Sequence, residues 1–315
     1  MVDEALHANM RNRSLLLAAL ITLSSLSVVI ANDTVTTQDV DLSGNHTMTG
    51  NYTVSHGTTL TIKPGTTIDM QNYWMEVEGT LIANNATIMS SIQTTGLGSH
   101  NAGVWDALTI TSIGSAILDN VTISNAKSCM IIDGTLTAKS LVIEDCLIGI
   151  EVDGSATIDD ATISHVDHDG IRSTGNLDIT AATIDDVSAG IHSSGDMVLS
   201  DATFSNAGVG IALTGGTADV EELDFTTGVG NALTISSGVT GDVDGMEGGA
   251  QNAIVSVDST GFTVSNIDMS GERLVNSWSA GDLTISDAAF FADSPETPID
   301  LRLSLIHISE PTRPY

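Results

Sequence analysis

The sequence predicts an all-β solenoid, with coils of about 20–22 residues and three short strands per coil. Three observations carry that expectation. Turn glycines recur at Gly114, Gly134, Gly154, Gly175, Gly195, Gly216, Gly238, Gly261 and Gly281, spaced 20 to 23 residues apart. Between them, apolar and polar residues alternate in short runs, the period of a strand with one buried face. The composition agrees: 41% hydrophobic residues but 3% aromatic ones leave Ile, Val, Leu and Ala to fill the interior. So many strands in so short a repeat leave no room for a helix.

Taken from the N-terminus, Met10 is followed by Arg11, Arg13 and the apolar run "LLLAALITLSSLSVVIA", which ends at Ala31. A basic start, an apolar stretch and small residues at its end read as a secretory signal peptide over 1–31, with Met10 as an alternative start. The run has 17 residues, short of the roughly 20 that span a bilayer. Residues 32–56 are expected to form a cap and first strands, and 57–302 the solenoid. "NYTVSHGTTLTIKPGTTIDM" already follows the repeat logic, with turn glycines at Gly57, Gly65 and Gly79. Between Ile92 and Val104 the insertion "QTTGLGSHNAG" interrupts one coil. Insertions in solenoids become loops on one side, so His100 and Trp105 are the first candidates for ligand contact. The competing reading tucks Trp105 against the solenoid.

The clearest units follow: "GTLTAKSLVIEDCLIGIEVD", "GSATIDDATISHVDHDGIRST", "GNLDITAATIDDVSAGIHSS" and "GDMVLSDATFSNAGVGIALTG". Each alternates, turns, alternates again and closes on Gly-Ile or a close variant. Over about 57–300 this pattern resembles the right-handed parallel β-helix of pectate-lyase-like proteins. That resemblance implies coils stacked into columns, and carries lyases, hydrolases, adhesins and plain surface proteins alike. One inward column should run Ile123, Ile143, Ile163, Ile184, Phe204, Phe225. A second should run Met130, Ile150, Ile171, Ile191, Ile211, beside Gly149, Gly170, Gly190 and Gly210. At the far end, 303–313 of "LSLIHISEPTRPY" resemble a translated sequencing-adapter read-through, so 303–315 are expected to be a non-native tail on a truncated chain.

Nine Lys+Arg against 40 Asp+Glu give a formal charge of −31, which repels nucleic acid and anionic lipid. The acids are spread along the chain, as on a solvated surface. The resemblance implies that a lyase would need an Arg or Lys base above an acidic Ca²⁺ cluster. Between Gly114 and Gly281 the repeats offer only Lys127, Lys139, Arg172 and Arg273. It also implies that a polygalacturonase-like hydrolase would need Gly-His-Gly and Arg-x-Lys motifs, both absent, while Asn266-Ile267-Asp268 comes in the wrong order. No catalytic residue is assigned, and the expectation leans away from an enzyme. Asp159-Asp160 should face solvent at a turn, with Lys139-Ser140 below and Thr180-Ala181 above, since stacked like charges repel. No cofactor is expected. Asp167 and Asp169, two carboxylates on one turn, would support at most weak Ca²⁺ binding.

Outward Thr122, Thr162, Thr183 and Thr203 would suit ice binding, but the neighbouring row Ser124, Glu144, Ser164, Asp185, Ser205 supplies no second threonine ladder. Cys129 and Cys146 lie in successive coils, about three positions out of register, and are a candidate disulfide in an exported protein. Sequons at Asn32, Asn45, Asn51, Asn85 and Asn120 are compatible with surface glycosylation. In "ISHVDHDGIRST", His165 should stack between Asp145 and Asp186 as a bracket, with His168 in solvent. The functional expectation is a secreted or cell-surface scaffold, adhesin-like, whose partner is a polysaccharide or cell-surface glycan. It would act as a monomer or as part of a longer surface protein, with no membrane insertion of the mature part. The alternative is a polysaccharide lyase or glycoside hydrolase of the same fold.

Overall fold

The computed structural model describes residues 28–31, 33–92, 103–257, 261–278, 282–292, 299–302 and 305–309. All named elements are strands, and every pairing between them is parallel, so each coil lies on the one before it. The result is a right-handed parallel β-helix of about 11 turns. His100, most of the 1–31 segment and much of 303–315 lie outside the described residues. Val28–Ala31 pairs in parallel with Asn45–Thr49, and Leu305–Ser309 with Asp282–Ala292.

Three wall segments per coil are joined with little loop between them. The strand Ser155–Ser173 runs through two bends, at Asp160 (φ 66) and His165 (φ 53). A single left-handed residue redirects the chain, and the ladder resumes one residue later. One bend column is Asn120, Ser140, Asp160, Ala181, Asp201, Glu222, and the other is Asn125, Asp145, His165, Asp186, Asn206, all with positive φ. Asn and Asp dominate because their short polar side chains tolerate this conformation best.

Both predicted inward columns are present. Ile123, Ile143, Ile163, Ile184, Phe204 and Phe225 pair in sequence and are fully buried. The column continues through Ile88 and Ile68 to His46, a buried polar interruption whose Nε2 lies 3.0 Å from the Ser43 carbonyl. In the other direction Gly248 breaks it before Met269. The second column extends from Tyr52 to Val275, and burial raises the Tyr52 phenol.

Beside it runs a column of small residues: Ala107, Cys129, Gly149, Gly170, Gly190, Gly210, Ala232, Ala253. At Gly190 an added Cβ would lie 2.5 Å from the Gly210 carbonyl oxygen and 2.6 Å from Phe204 Cε1. At Gly210 it would meet Phe225 Cε1 at 2.5 Å. The backbone of the next coil already crowds this column, with the Gly170 carbonyl oxygen 2.2 Å from a Cβ on Gly149, and the phenylalanine rings close it further at Gly190 and Gly210. The two rings stack with centroids 5.3 Å apart.

The glycine spacing slips in one place. Ala218 pairs with Gly241, and Gly241 with Phe262, so the coil at 218–241 is 23 residues long and the next 21. Gly238 and Gly261 are thus turn glycines at slightly different stations, both with positive φ.

Candidate functional site

Charge alternates on the early coils, as expected for the Asp159 column. Lys139 Nζ lies 3.3 Å from Asp159 Oδ2, and Ser140 Oγ donates to Asp160 Oδ2 at 3.0 Å. Farther along, alternation stops. Glu221 pairs with Asp244, Asp219 with Asp242, and Asp224, Glu247 and Asp268 follow one another on three coils. On both sides of the Glu222 bend like charges therefore stack, with no Lys or Arg between Arg172 and Arg273.

The crowded stretch 163–174 divides into residues with different tasks. His165 sits at its left-handed bend, half-exposed, with Nδ1 4.0 Å from Asp145 Oδ1. On the other side its charge acts on Asp185, whose carboxyl is held below the usual carboxylate range. Hydrogen bonds from Ser205 and Asn206 contribute most to that shift, and His165 adds a smaller electrostatic share. His168 is exposed, and its backbone N–H donates to the Leu147 carbonyl.

Asp169 behaves differently from all of these. Val166 pairs with Val187 but Asp169 with Ala189, so this coil carries one extra residue. The neighbouring coils take four steps from Cys146 to Ile150 and from Val187 to Ile191, where this one takes five from Val166 to Ile171. Such a bulge re-aims side chains. The Asp169 carboxylate is 12% exposed, 2.7 Å from Arg172 Nε and 3.7 Å from His192 Nδ1. Arg172 and His192 pair directly across adjacent coils, and His192 Nε2 lies 3.4 Å from Thr214 Oγ1. Glu151 precedes Arg172 in the same outward column and accepts a hydrogen bond from Ser128 Oγ at 2.6 Å. A guanidinium, a buried carboxylate and an imidazole thus meet on one wall. Both contacts of Asp169 are made through its Oδ2. Among the described residues no group of three or more His, Cys, Asp or Glu could hold a metal.

Across the turn at Gly154, Gly175 and Gly195 the wall has an open groove of about 590 Å³. Thr157, Asp178, Val198 and Asp219 line it, together with Ser155, Asn176, Asp196 and Thr217. Val198 is 49% exposed there, an apolar surface among hydroxyls and carboxylates.

Of the two ligand contacts expected from the interrupted coil, His100 is outside the described residues. Trp105 is fully buried, its indole N–H donating to the Ser124 carbonyl at 2.9 Å, and its backbone bridges to Ala126. It is a core side chain with no surface to present to a ligand. The exposed tryptophan is Trp278, at 43%, outward beside Val257 on the preceding coil. Strand alternation from the buried Ser256 and Ser277 was the signal that could have found it.

Cys129 and Cys146 are joined as a disulfide with Cα atoms 6.0 Å apart, both fully buried. Cys129 occupies the small-residue column and Cys146 the column of Val166 and Val187, three positions away. The bend between Glu144 and Leu147 folds these positions together. Among the sequons, Asn120 Nδ2 donates to Asn85 Oδ1 at 2.6 Å, so two acceptor side chains brace each other at the bend.

No protein-family model matches the chain, and no curated protein matches it in sequence.

Proposed function

We propose that the chain is a secreted or cell-surface β-helix scaffold, adhesin-like, that binds glycan along its outer walls. The observation that carries this reading is the contrast between interior and exterior. The interior columns are closed and almost wholly apolar, while hydroxyls and carboxylates dominate the outer columns beside an open groove with exposed Val198. Repeated polar rows with a periodic rise suit an extended polymer better than a small enclosed substrate. The buried disulfide supports an oxidising compartment. So does the leader-like start of the sequence. Among the described residues no helix is long and apolar enough to cross a membrane.

The competing reading is a polysaccharide lyase or glycoside hydrolase of the pectin-lyase-like fold. It draws on the meeting of Arg172, Asp169 and His192. The scaffold reading is tested by passing the purified chain over immobilised neutral, uronate-bearing and sulfated polysaccharides. Saturable retention on at least one is expected. No retention on any of them would remove the glycan partner.

A further inference from the structure

Arg172 is the single Lys or Arg between Lys139 and Arg273, on a chain of formal charge −31. It has an imidazole for a neighbour. His192 lies directly beside it on the next coil, and both turn toward the same carboxylate oxygen of Asp169, at 2.7 and 3.7 Å. Burying that carboxylate is costly unless it is paired. The bulge at 166–169, an extra residue that neighbouring coils lack, sets it beneath the two side chains. Arg172 meets Asp169 through Nε, and among the described residues no other carboxylate is within ion-pair distance of it. The arginine and histidine side chains remain 45% and 40% exposed. Ala212, next in the column, leaves the imidazole uncovered on that side. Thr214 supplies a hydroxyl at its Nε2.

We propose that Arg172 and His192 form an anion-binding subsite, anchored by Asp169, that takes the carboxylate or sulfate group of an acidic sugar. The inference rests on the glycan-binding reading and narrows its substrate class. Guanidinium matches such planar or tetrahedral oxyanions with paired donors. Glu151 precedes Arg172 in this column, and the stacked acids of the later coils lie on the other walls, so an anion is repelled elsewhere and an acidic chain settles at the subsite.

The test is calorimetry on the full chain with a galacturonate oligosaccharide, its methyl-esterified form and inorganic sulfate. Arg172→Gln and His192→Gln are compared with wild type. Because Arg172→Gln strands a buried carboxylate, Asp169→Asn/Arg172→Gln removes both charges together, and its folding is checked by circular dichroism. The free-acid oligosaccharide is expected to bind wild type, and to bind both arginine variants roughly 10- to 100-fold more weakly, the range for a lost charged hydrogen bond. Equal binding of acid and ester, unchanged in Asp169→Asn/Arg172→Gln, would remove the subsite while leaving glycan binding intact. Sulfate binding that depends on Arg172, with no sugar bound at all, would keep the anion subsite and remove the glycan reading.

Discussion

Replacing Cys129 by Ala and Cys146 by Val isolates the cross-link from its packing. The same stack already holds Ala107, Ala232 and Ala253 at the first position, and Val166 and Val187 at the second. The substitution therefore inserts residues that these columns accept, and what is lost is the bond. It closes a loop with a sequence separation of 17. Loop-closure entropy for that length amounts to about 3 kcal/mol at 25 °C. Each coil contacts only its neighbours, so the loss is read locally. Amide exchange should accelerate across 121–166 and stay unchanged beyond 240. Denaturant unfolding of wild type with and without reductant should reproduce the difference seen between wild type and the double variant. Thiol titration of the denatured, unreduced protein should find no free thiol. Two titratable thiols, or a double variant as stable as wild type, would refute the reasoning.

The remaining predictions concern packing and charge. Gly190→Ala should destabilise by about 1–3 kcal/mol through overpacking, and by less in a Phe204→Ile background, where the ring facing the new Cβ is gone; additive effects in a double-mutant cycle would contradict the coupling of the two columns. Asp185 is held below its ordinary value chiefly by Ser205 and Asn206. Its contribution is present above the unfolded value of about 3.9 and disappears as pH falls through the lower folded value. Ser205→Ala should therefore lower the melting temperature at pH 7 but not near pH 2, and a pH-independent difference would overturn this. Raising NaCl from about 0.1 to 1 M shortens the screening length from about 10 to 3 Å, so the coils that stack Asp224, Glu247 and Asp268 should gain amide protection; unchanged protection there would count against like-charge strain.

The solenoid was legible because its signals are periodic. The isoleucine column and the glycine-isoleucine pairs recur at nearly constant spacing, and a register error of one residue would have turned Ile163 outward. The same periodicity hid the departures from it. His46 and Gly248 interrupt the core column where the repeat is least regular, and the 23-residue coil displaced Gly238 from its expected station. The stacked acids are not legible from the column that alternates, Lys139 to Thr180, because like charges meet only several coils later. In the candidate site, Arg172 and Asp169 were both visible, but their meeting with His192 was not. It depends on a bulge whose only trace in the sequence is a 21-residue interval between Gly154 and Gly175. Trp105 followed an insertion and so read as a loop residue, although its indole N–H finds a partner only inside the stack.

Binding without turnover is the central claim, and one assay addresses it. The chain is incubated with acidic polysaccharides while unsaturated products and new reducing ends are followed together with binding. The account predicts saturable binding with neither product formed. Product release abolished by Arg172→Ala would contradict it, and would make the Arg172–Asp169–His192 wall an active centre instead of a docking point.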